Sequence, residues 1–456
     1  MTRPPVTRAL AAFASKLDYD RVPAHVRDLL PVLLADWFRA GSVGVTRDWT
    51  LRAKSTLLTL SDGGTCPLLF SQEKADPVRA AYMNGVIAGS LDWDDSHIAA
   101  LVHPGVVVWP AVFAAAALAP PDGKRLCEAA LAGYEVAVRI GMGLQPDHAL
   151  RGFQATPSCG IFGATVAASL LLGLDEDRLC DALGLAASYA SGSSQFFLSG
   201  SDVKRLHAGK AAAAGVEIAL LAKAGLTGPH DAIEGDQGFG VATSDSFHPE
   251  IMIGDLGQKY WIDEIALKIH AGTVRLQAAI ESAQALARDG VLPDQIAKVE
   301  IGVPKVLLGK VTSPDPVDMQ QAQMSAPFAV AMTFHLLTEG MEPLILGLDE
   351  FERMSHDARV KDLSHRTNCV FDAEMDAAMG PGKVPARVSV TLKDGRVLTQ
   401  KVFFPKGCRE NPITPQEVFT RAQQMISQKY PANFVSAWLA RLPKIHTLPH
   451  IEGIMI

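Results

Sequence analysis

The sequence predicts a mostly α protein in which a large all-helical domain is joined to a smaller α+β lid domain. Three observations lead there. Segments rich in alanine and aliphatic residues recur at helical spacing through the first half of the chain. They do not alternate with strands in the way a dinucleotide-binding sheet requires. After Trp261 the character changes, and short runs of branched residues in alternation enter.

In order along the chain, residues 26–38 carry apolar side chains at helical spacing, with Gly41 as a stop. The longest apolar run, 106–119, is interrupted by Pro110, is too short to span a bilayer, and reads as a buried core helix. Segments 111–119, 129–140, 161–172 and 211–224 are dominated by small residues, which let helices approach closely and form a bundle with buried central members. Gly173, Gly225 and Gly228 stand where helix ends are expected and read as C-caps. Residues 275–288 form a further helix, 298–303 a strand, and 387–392 with 396–398 a hairpin around Lys393-Asp394-Gly395. Helices at 325–337 and 349–356 complete the α+β unit, and Pro412 and Pro415 precede a final helix, 417–428, that returns to the helical body. The expected boundaries are 1–265 for the helical domain, 266–405 for the lid and 406–456 for the return.

A chain of 456 residues, 48% apolar and 20% charged, has the make-up of a soluble globular enzyme of two domains. Its formal net charge of −7 argues against a nucleic-acid partner. The six cysteines form no CxxC pair, which fits reduced thiols and speaks against a zinc or iron–sulfur site. Met1-Thr2-Arg3-Pro4-Pro5 leads into an amphipathic segment without the apolar core of a signal peptide, so no membrane partner and a cytoplasmic location are expected. No glycine-rich phosphate loop, GxSxG elbow or HExxH motif occurs.

Three polar segments stand out from this helical frame. The first is Leu91-Asp92-Trp93-Asp94-Asp95-Ser96-His97, followed by His103-Pro104-Gly105. Three carboxylates so close cannot all stay ionised in a dry pocket, so at least one pKa must rise, and a group tuned in this way suits acid–base work. The same residues also read as a solvated acidic turn with His97 exposed. Asp and His can ligate metals, but the spacing is irregular, and neither a metal nor another cofactor is expected. In the second segment, Arg151-Gly152-Phe153-Gln154-Ala155-Thr156, Arg151 could grip a carboxylate with two parallel hydrogen bonds. It could equally be an ordinary loop before a helix, capped by Thr156 or Ser158. In the third, Ser201-Asp202-Val203-Lys204-Arg205-Leu206-His207-Ala208-Gly209-Lys210, a basic loop opens onto a helix N-terminus, which favours anions. A lysine among positive neighbours also has its pKa pushed down, so Lys204 could act as a base or hold a carboxylate.

In this order the three segments resemble the MmgE/PrpD family, which includes 2-methylcitrate dehydratase, cis-aconitate decarboxylase and iminodisuccinate epimerase. The likeness continues through Gly235-Asp236-Gln237-Gly238-Phe239, Gln323-Met324-Ser325-Ala326-Pro327-Phe328 and Pro405-Lys406-Gly407-Cys408, and so covers nearly the whole chain. It implies a substrate cleft between the helical and lid domains, and a homodimer. It also implies that Asp92, Ser96 and His103 face the substrate and that Lys204 belongs to the site. Two positions depart from the family pattern: Gln154 and Gln277 stand where histidines are usual, the latter in a segment that opens on Lys268. The expected catalytic residues are Asp92, His103 and Lys204. The expected substrate contacts are Ser96, Arg151, Gln154, Arg205, His207, Lys268 and Gln277, with His207 structural rather than catalytic.

The resulting expectation is a cofactor-independent lyase. It would act on a small di- or tricarboxylic acid by proton abstraction beside a carboxylate. Two other readings stay open, an epimerase or isomerase of a similar acid and a non-catalytic carboxylate-binding member.

Overall fold

A computed structural model describes residues 3–60, 63–380 and 382–456; Met1 and Thr2 of the N-terminal stretch lie outside it. The protein is mostly α, with small sheets. Its centre is a set of apolar helices. Every residue of Ala155–Leu171 is buried, as is every residue from 105 to 116 of Gly105–Leu118, where Pro110 sits inside the helix. Gly123–Leu144 and Val203–Lys223 pack around them.

Small residues set the separations of these helices. A Cβ on Gly209 would lie 2.3 Å from the Tyr82 carbonyl oxygen, and one on Gly163 would lie 2.4 Å from that of Gly133. Helix Val203–Lys223 is thereby drawn against Pro77–Gly89, and Gly123–Leu144 against Ala155–Leu171. These contacts place the start of Val203–Lys223 beside the segment that leaves Pro77–Gly89. Arg205 fastens the two together: its guanidinium donates to the Ser90 carbonyl at 2.7 Å and lies over the Trp49 ring at 3.6 Å. A cation at a helix C-terminus is stabilised by the carbonyls left unpaired there.

A second hydrophobic cluster belongs to the α+β unit. Its sheet runs Thr367–Phe371, Ile296–Val303, Ala386–Leu392, Val397–Val402, with the first pair parallel and the other two antiparallel. Ala386–Leu392 alternates buried and half-buried side chains, as a strand covered on one face should. Helix Gln277–Arg288 lies on that sheet, and Ala326–Thr338 packs on the helix. Ser325 caps the latter, accepting from the Phe328 N–H at 3.1 Å.

Several expectations need correction. The helix expected at 211–224 begins at Val203, so Lys204, Arg205 and His207 occupy its first turns, not a preceding loop. Lysine and arginine are good helix formers, and the charge run concealed the start. Gly41 is interior to Leu29–Gly44. Gly173 and Gly225 do take the left-handed conformation of a C-cap, with φ of 79° and 99°. Gly228 does not; it is glycine because a Cβ would meet the Asp181 carbonyl oxygen at 2.4 Å. Strand Thr367–Phe371 and helix Ala432–Leu439 were not expected. No helix among the described residues is long and apolar enough to cross a membrane.

The glycine contacts give a direct test. Gly209→Ala forces its Cβ into the Tyr82 carbonyl, and chemical unfolding should show a loss of about 1–3 kcal/mol, the usual cost of overpacking. An unchanged stability would mean that the two helices are not held at this separation.

Candidate active site

The three polar segments converge on one cavity of about 780 Å³ between the helical body and the α+β unit. Asp92 lies at its floor with a left-handed backbone, φ 53°, which Asp tolerates better than most residues. Its carboxylate is buried and shared by two ammonium groups. Lys204 Nζ donates to Oδ2 at 2.5 Å, and Lys268 Nζ donates to Oδ1 at 2.8 Å. Lys268 also reaches the Asp92 carbonyl at 3.1 Å and Asp94 Oδ1 at 3.3 Å, which commits all three of its protons.

The two lysines therefore differ in character. The pair of carboxylates outweighs burial at Lys268 and raises its pKa. Burial dominates at Lys204, with the neighbouring Lys268 charge adding to it, and lowers its pKa despite Asp92. Asp92 resists burial: the ammoniums of Lys204 and Lys268 hold its carboxyl well below the usual range. Neighbouring backbone locks the arrangement. Gly272 N–H donates to the Asp92 carbonyl at 3.1 Å, Gln323 Nε2 to the Leu91 carbonyl at 2.7 Å, and Thr273 N–H to the Gln323 carbonyl at 3.1 Å. The Gln323 motif thus ties the Asp92 loop to the Lys268 segment.

The acidic run is not a solvated turn. Asp92, Asp94, Asp95 and His97 are all buried. The expected upward shift falls on Asp95, which burial pushes to about 7 although Tyr134 O–H donates to it at 2.8 Å. His97 is held neutral by burial, at about 3.

His103 has a defined tautomer. Its Nδ1 lies 2.8 Å from the Asp95 carbonyl oxygen and 2.9 Å from Ser96 Oγ, with Asp94 Oδ2 at 3.4 Å. A carbonyl can only accept, so Nδ1 carries the proton. Burial lowers the imidazole pKa and keeps the ring neutral, which leaves Nε2 unprotonated, with no hydrogen-bond partner among the described residues. A neutral imidazole oriented in this way can take a proton at Nε2.

Gln154 is buried at the cavity wall, where its Oε1 accepts from His207 Nδ1 at 2.7 Å. The amide N–H₂ is left to face a ligand. His207, at about 4 through burial, stands behind it and does not line the cavity. Thr156, expected as a possible cap, instead accepts from the His103 backbone N–H at 3.1 Å.

Asp92, Ser96, His103, Arg151, Gln154 and Lys204 all line the cavity. Arg205, His207, Lys268 and Gln277 do not. Gln277 clamps its own loop, accepting from His270 N–H at 3.1 Å and donating to the His270 carbonyl at 3.2 Å. Arg151 borders the cavity, but its guanidinium is engaged by the Asp245 carboxylate and by the Ala242 carbonyl at 2.8 Å. Two cations in the cavity wall were absent from the sequence reading, Arg275 and Lys310. Arg275 lies two residues before Gln277, within a segment already singled out, but its helical context concealed it. Nothing local marks Lys310.

Asp92, Asp94 and His103 offer ligand atoms within 4.8 Å of one another, close enough to converge on a metal ion. The donor set fits poorly, because Lys204 and Lys268 already occupy the Asp92 oxygens and Lys268 touches Asp94. A divalent cation would have to displace or face two like charges.

Residues 8–252 match the MmgE/PrpD N-terminal domain and residues 270–435 the MmgE/PrpD C-terminal domain. The chain belongs to the MmgE/PrpD family. It is 28% identical to the cis-aconitate decarboxylase-like protein oryM of Aspergillus oryzae, over 92% of this chain and 90% of that protein. The cis-aconitate decarboxylase of Aspergillus terreus is 25% identical over 89% of this chain and 86% of its own. For human cis-aconitate decarboxylase the identity is 28%, over 75% and 71%.

Removing one member of a buried ion cluster leaves an uncompensated charge. Lys268→Met should cost about 3–5 kcal/mol in denaturant unfolding. Because the Asp92 pKa is depressed in the folded protein, this stabilisation is complete above the ordinary Asp value of about 3.9 and is lost as pH falls below it. The gap between wild type and variant should therefore narrow in acid.

Proposed function

We propose that the protein is a cofactor-independent lyase acting on a small di- or tricarboxylic acid, by dehydration or decarboxylation beside a carboxylate. The observation that carries the reading is the pairing of a neutral His103, with Nε2 free, and the Lys204 ammonium on one cavity wall. Membership of the family and the names of the relatives support the lyase class.

In the dehydration branch, His103 Nε2 takes the proton from the carbon next to a carboxylate. The C–H electron pair first rests on that carbon as an enolate-like anion and then forms the double bond as the C–O bond breaks; Lys204 protonates the departing hydroxyl, which leaves as water. In the decarboxylation branch, the electron pair comes from the breaking C–C bond. Carbon dioxide leaves, and the Lys204 ammonium gives its proton to the carbanion, to be restored from solvent. Both branches pass through an enolate-like anion, which needs fixed positive charge and donors around it. Lys204 and the Gln154 amide fill that role, Asp92 positions Lys204, and Ser96 helps to hold the His103 ring.

The α+β unit acts as the lid, since Val306, Leu307, Met379 and Val384 close the cavity from that side. An epimerase remains the second reading, favoured by the amide at Gln154, which donates hydrogen bonds but shuttles no proton. Proton NMR in deuterium oxide with candidate acids separates the readings. Alkene formation or carbon dioxide release marks a lyase, α-proton exchange alone an epimerase, and stabilisation without either a binder.

The active enzyme can be tested by substitution, pH and chelation. Lys204→Ala should cost on the order of 3 kcal/mol in transition-state stabilisation, and His103→Ala should be similarly impaired, both read as kcat/KM. The acid limb of the pH profile should fall below the ordinary His value of about 6.5, because burial lowers the His103 pKa and keeps the base neutral. The alkaline limb should lie below the usual Lys range, because Lys204 loses its proton early. Activity should also survive exhaustive chelation; loss restored by a divalent ion would overturn the metal-free reading.

A further inference from the structure

The charged groups in the cavity wall and in direct contact with it do not balance. Asp92 and Asp94 supply two formal negative charges, which Lys204 and Lys268 match one for one through direct contacts. Arg151 is matched by Asp245. Arg275 and Lys310 are left over. Neither makes an ion pair or a side-chain hydrogen bond with any described residue, although both line the cavity. Arg275 is half-buried, its guanidinium 6.0 Å from the centre of the Phe197 ring. The negative charge it senses is Asp92, already shared by two ammoniums. Lys310 is pushed down by partial burial and by the charge of Arg275 itself.

Such an arrangement is costly for the empty protein. Two like charges face one cavity, and burial of an unpaired guanidinium is unfavourable. The backbone nevertheless presents both firmly. Arg275 sits in the turn Val274–Leu276, whose start is held by Thr273 N–H on the Gln323 carbonyl at 3.1 Å. Behind it, the Gln277 clamp on His270 fixes the loop. Lys310 follows Gly309, whose φ of 78° favours glycine, and its N–H donates to the Leu307 carbonyl at 3.0 Å.

We propose that Arg275 and Lys310 form a second anion subsite, which takes a carboxylate of the substrate remote from the carbon that reacts beside His103 and Lys204. The ligand class is then an acid with at least two carboxylates on separate arms, one at each end of the cavity. Gln277 is a positioning residue for Arg275. The inference rests on the carboxylate-substrate reading above, but binding of an inert acid tests it independently of turnover.

The probes are tricarballylate, glutarate and butyrate, saturated acids with three, two and one carboxylates, titrated by calorimetry into the full-length protein. Wild type should bind tricarballylate and glutarate more tightly than butyrate. Lys310→Ala, a change in an exposed loop, should weaken the first two about tenfold and leave butyrate unchanged, the effect of losing one charge-assisted contact. Arg275→Ala should do the same to a greater extent, and Arg275→Lys should recover part of the loss. Absence of a preference among the probes in wild type, equal weakening of all three, or no weakening in Lys310→Ala would each overturn the subsite. Selective weakening together with no turnover of any acid would uphold the subsite and reject the lyase reading.

Discussion

One buried carboxylate organises the site. Asp92 accepts from Lys204, which starts a helix of the body, and from Lys268, which lies in the segment leading to the α+β unit. Three stretches far apart in sequence meet on two oxygen atoms. Ion clusters of this kind are poor sources of net stability, because desolvation offsets most of the Coulomb attraction. Their value is geometric. Asp92 cannot turn away without stranding a lysine, and its left-handed backbone is held by Gly272 and by Lys268 at the carbonyl. The lysine that lines the cavity is thereby fixed in place, and burial keeps it less basic than an exposed lysine despite Asp92, while the other is saturated by its contacts.

The two glutamines that replace family histidines do unlike things. Gln154 stands at the cavity wall, oriented by His207, and offers amide donors where a titratable ring would offer a proton. Gln277 never reaches the cavity; it staples a loop through both amide atoms. An amide at Gln154 carries no titratable proton, so the proposed mechanism leaves proton transfer to His103 and Lys204. Loss of the ring at Gln277 costs the chemistry nothing directly, since an amide holds a backbone N–H and a carbonyl together better than an imidazole can.

Much of the fold was legible because it follows from short-range rules. Small-residue helices, the hairpin around Gly395 and the switch after Trp261 are visible in periodicity and turn chemistry. The segment order grouped Asp92, His103 and Lys204, and these three do line one cavity. What could not be read was direction and partnership. Arg151 has the chemistry of a carboxylate clamp, but Asp245, nearly a hundred positions away, engages it. Lys268 and Lys204 look alike in sequence, and only the second carboxylate contact of Lys268 separates them. Arg205, flanked by the expected catalytic lysine, turns back to hold the Ser90 carbonyl and stack on Trp49. Side chains on adjacent turns of one helix point to different neighbours, and composition does not say which of them face the cavity.

The same reasoning explains why the cavity cations were missed. A lysine or arginine without a partner looks, in sequence, like any solvated charge. It becomes informative when it lines a cavity and has no counter-charge within reach. Arg275 meets that condition because the groups that could neutralise it are already taken. Asp92 and Asp94 are engaged by Lys204 and Lys268, and no described acidic residue pairs with Arg275 or Lys310. On the proposed reading, Arg275 and Lys310 hold one carboxylate of the ligand while His103 and Lys204 act at its reacting carbon, and all four line the same cavity.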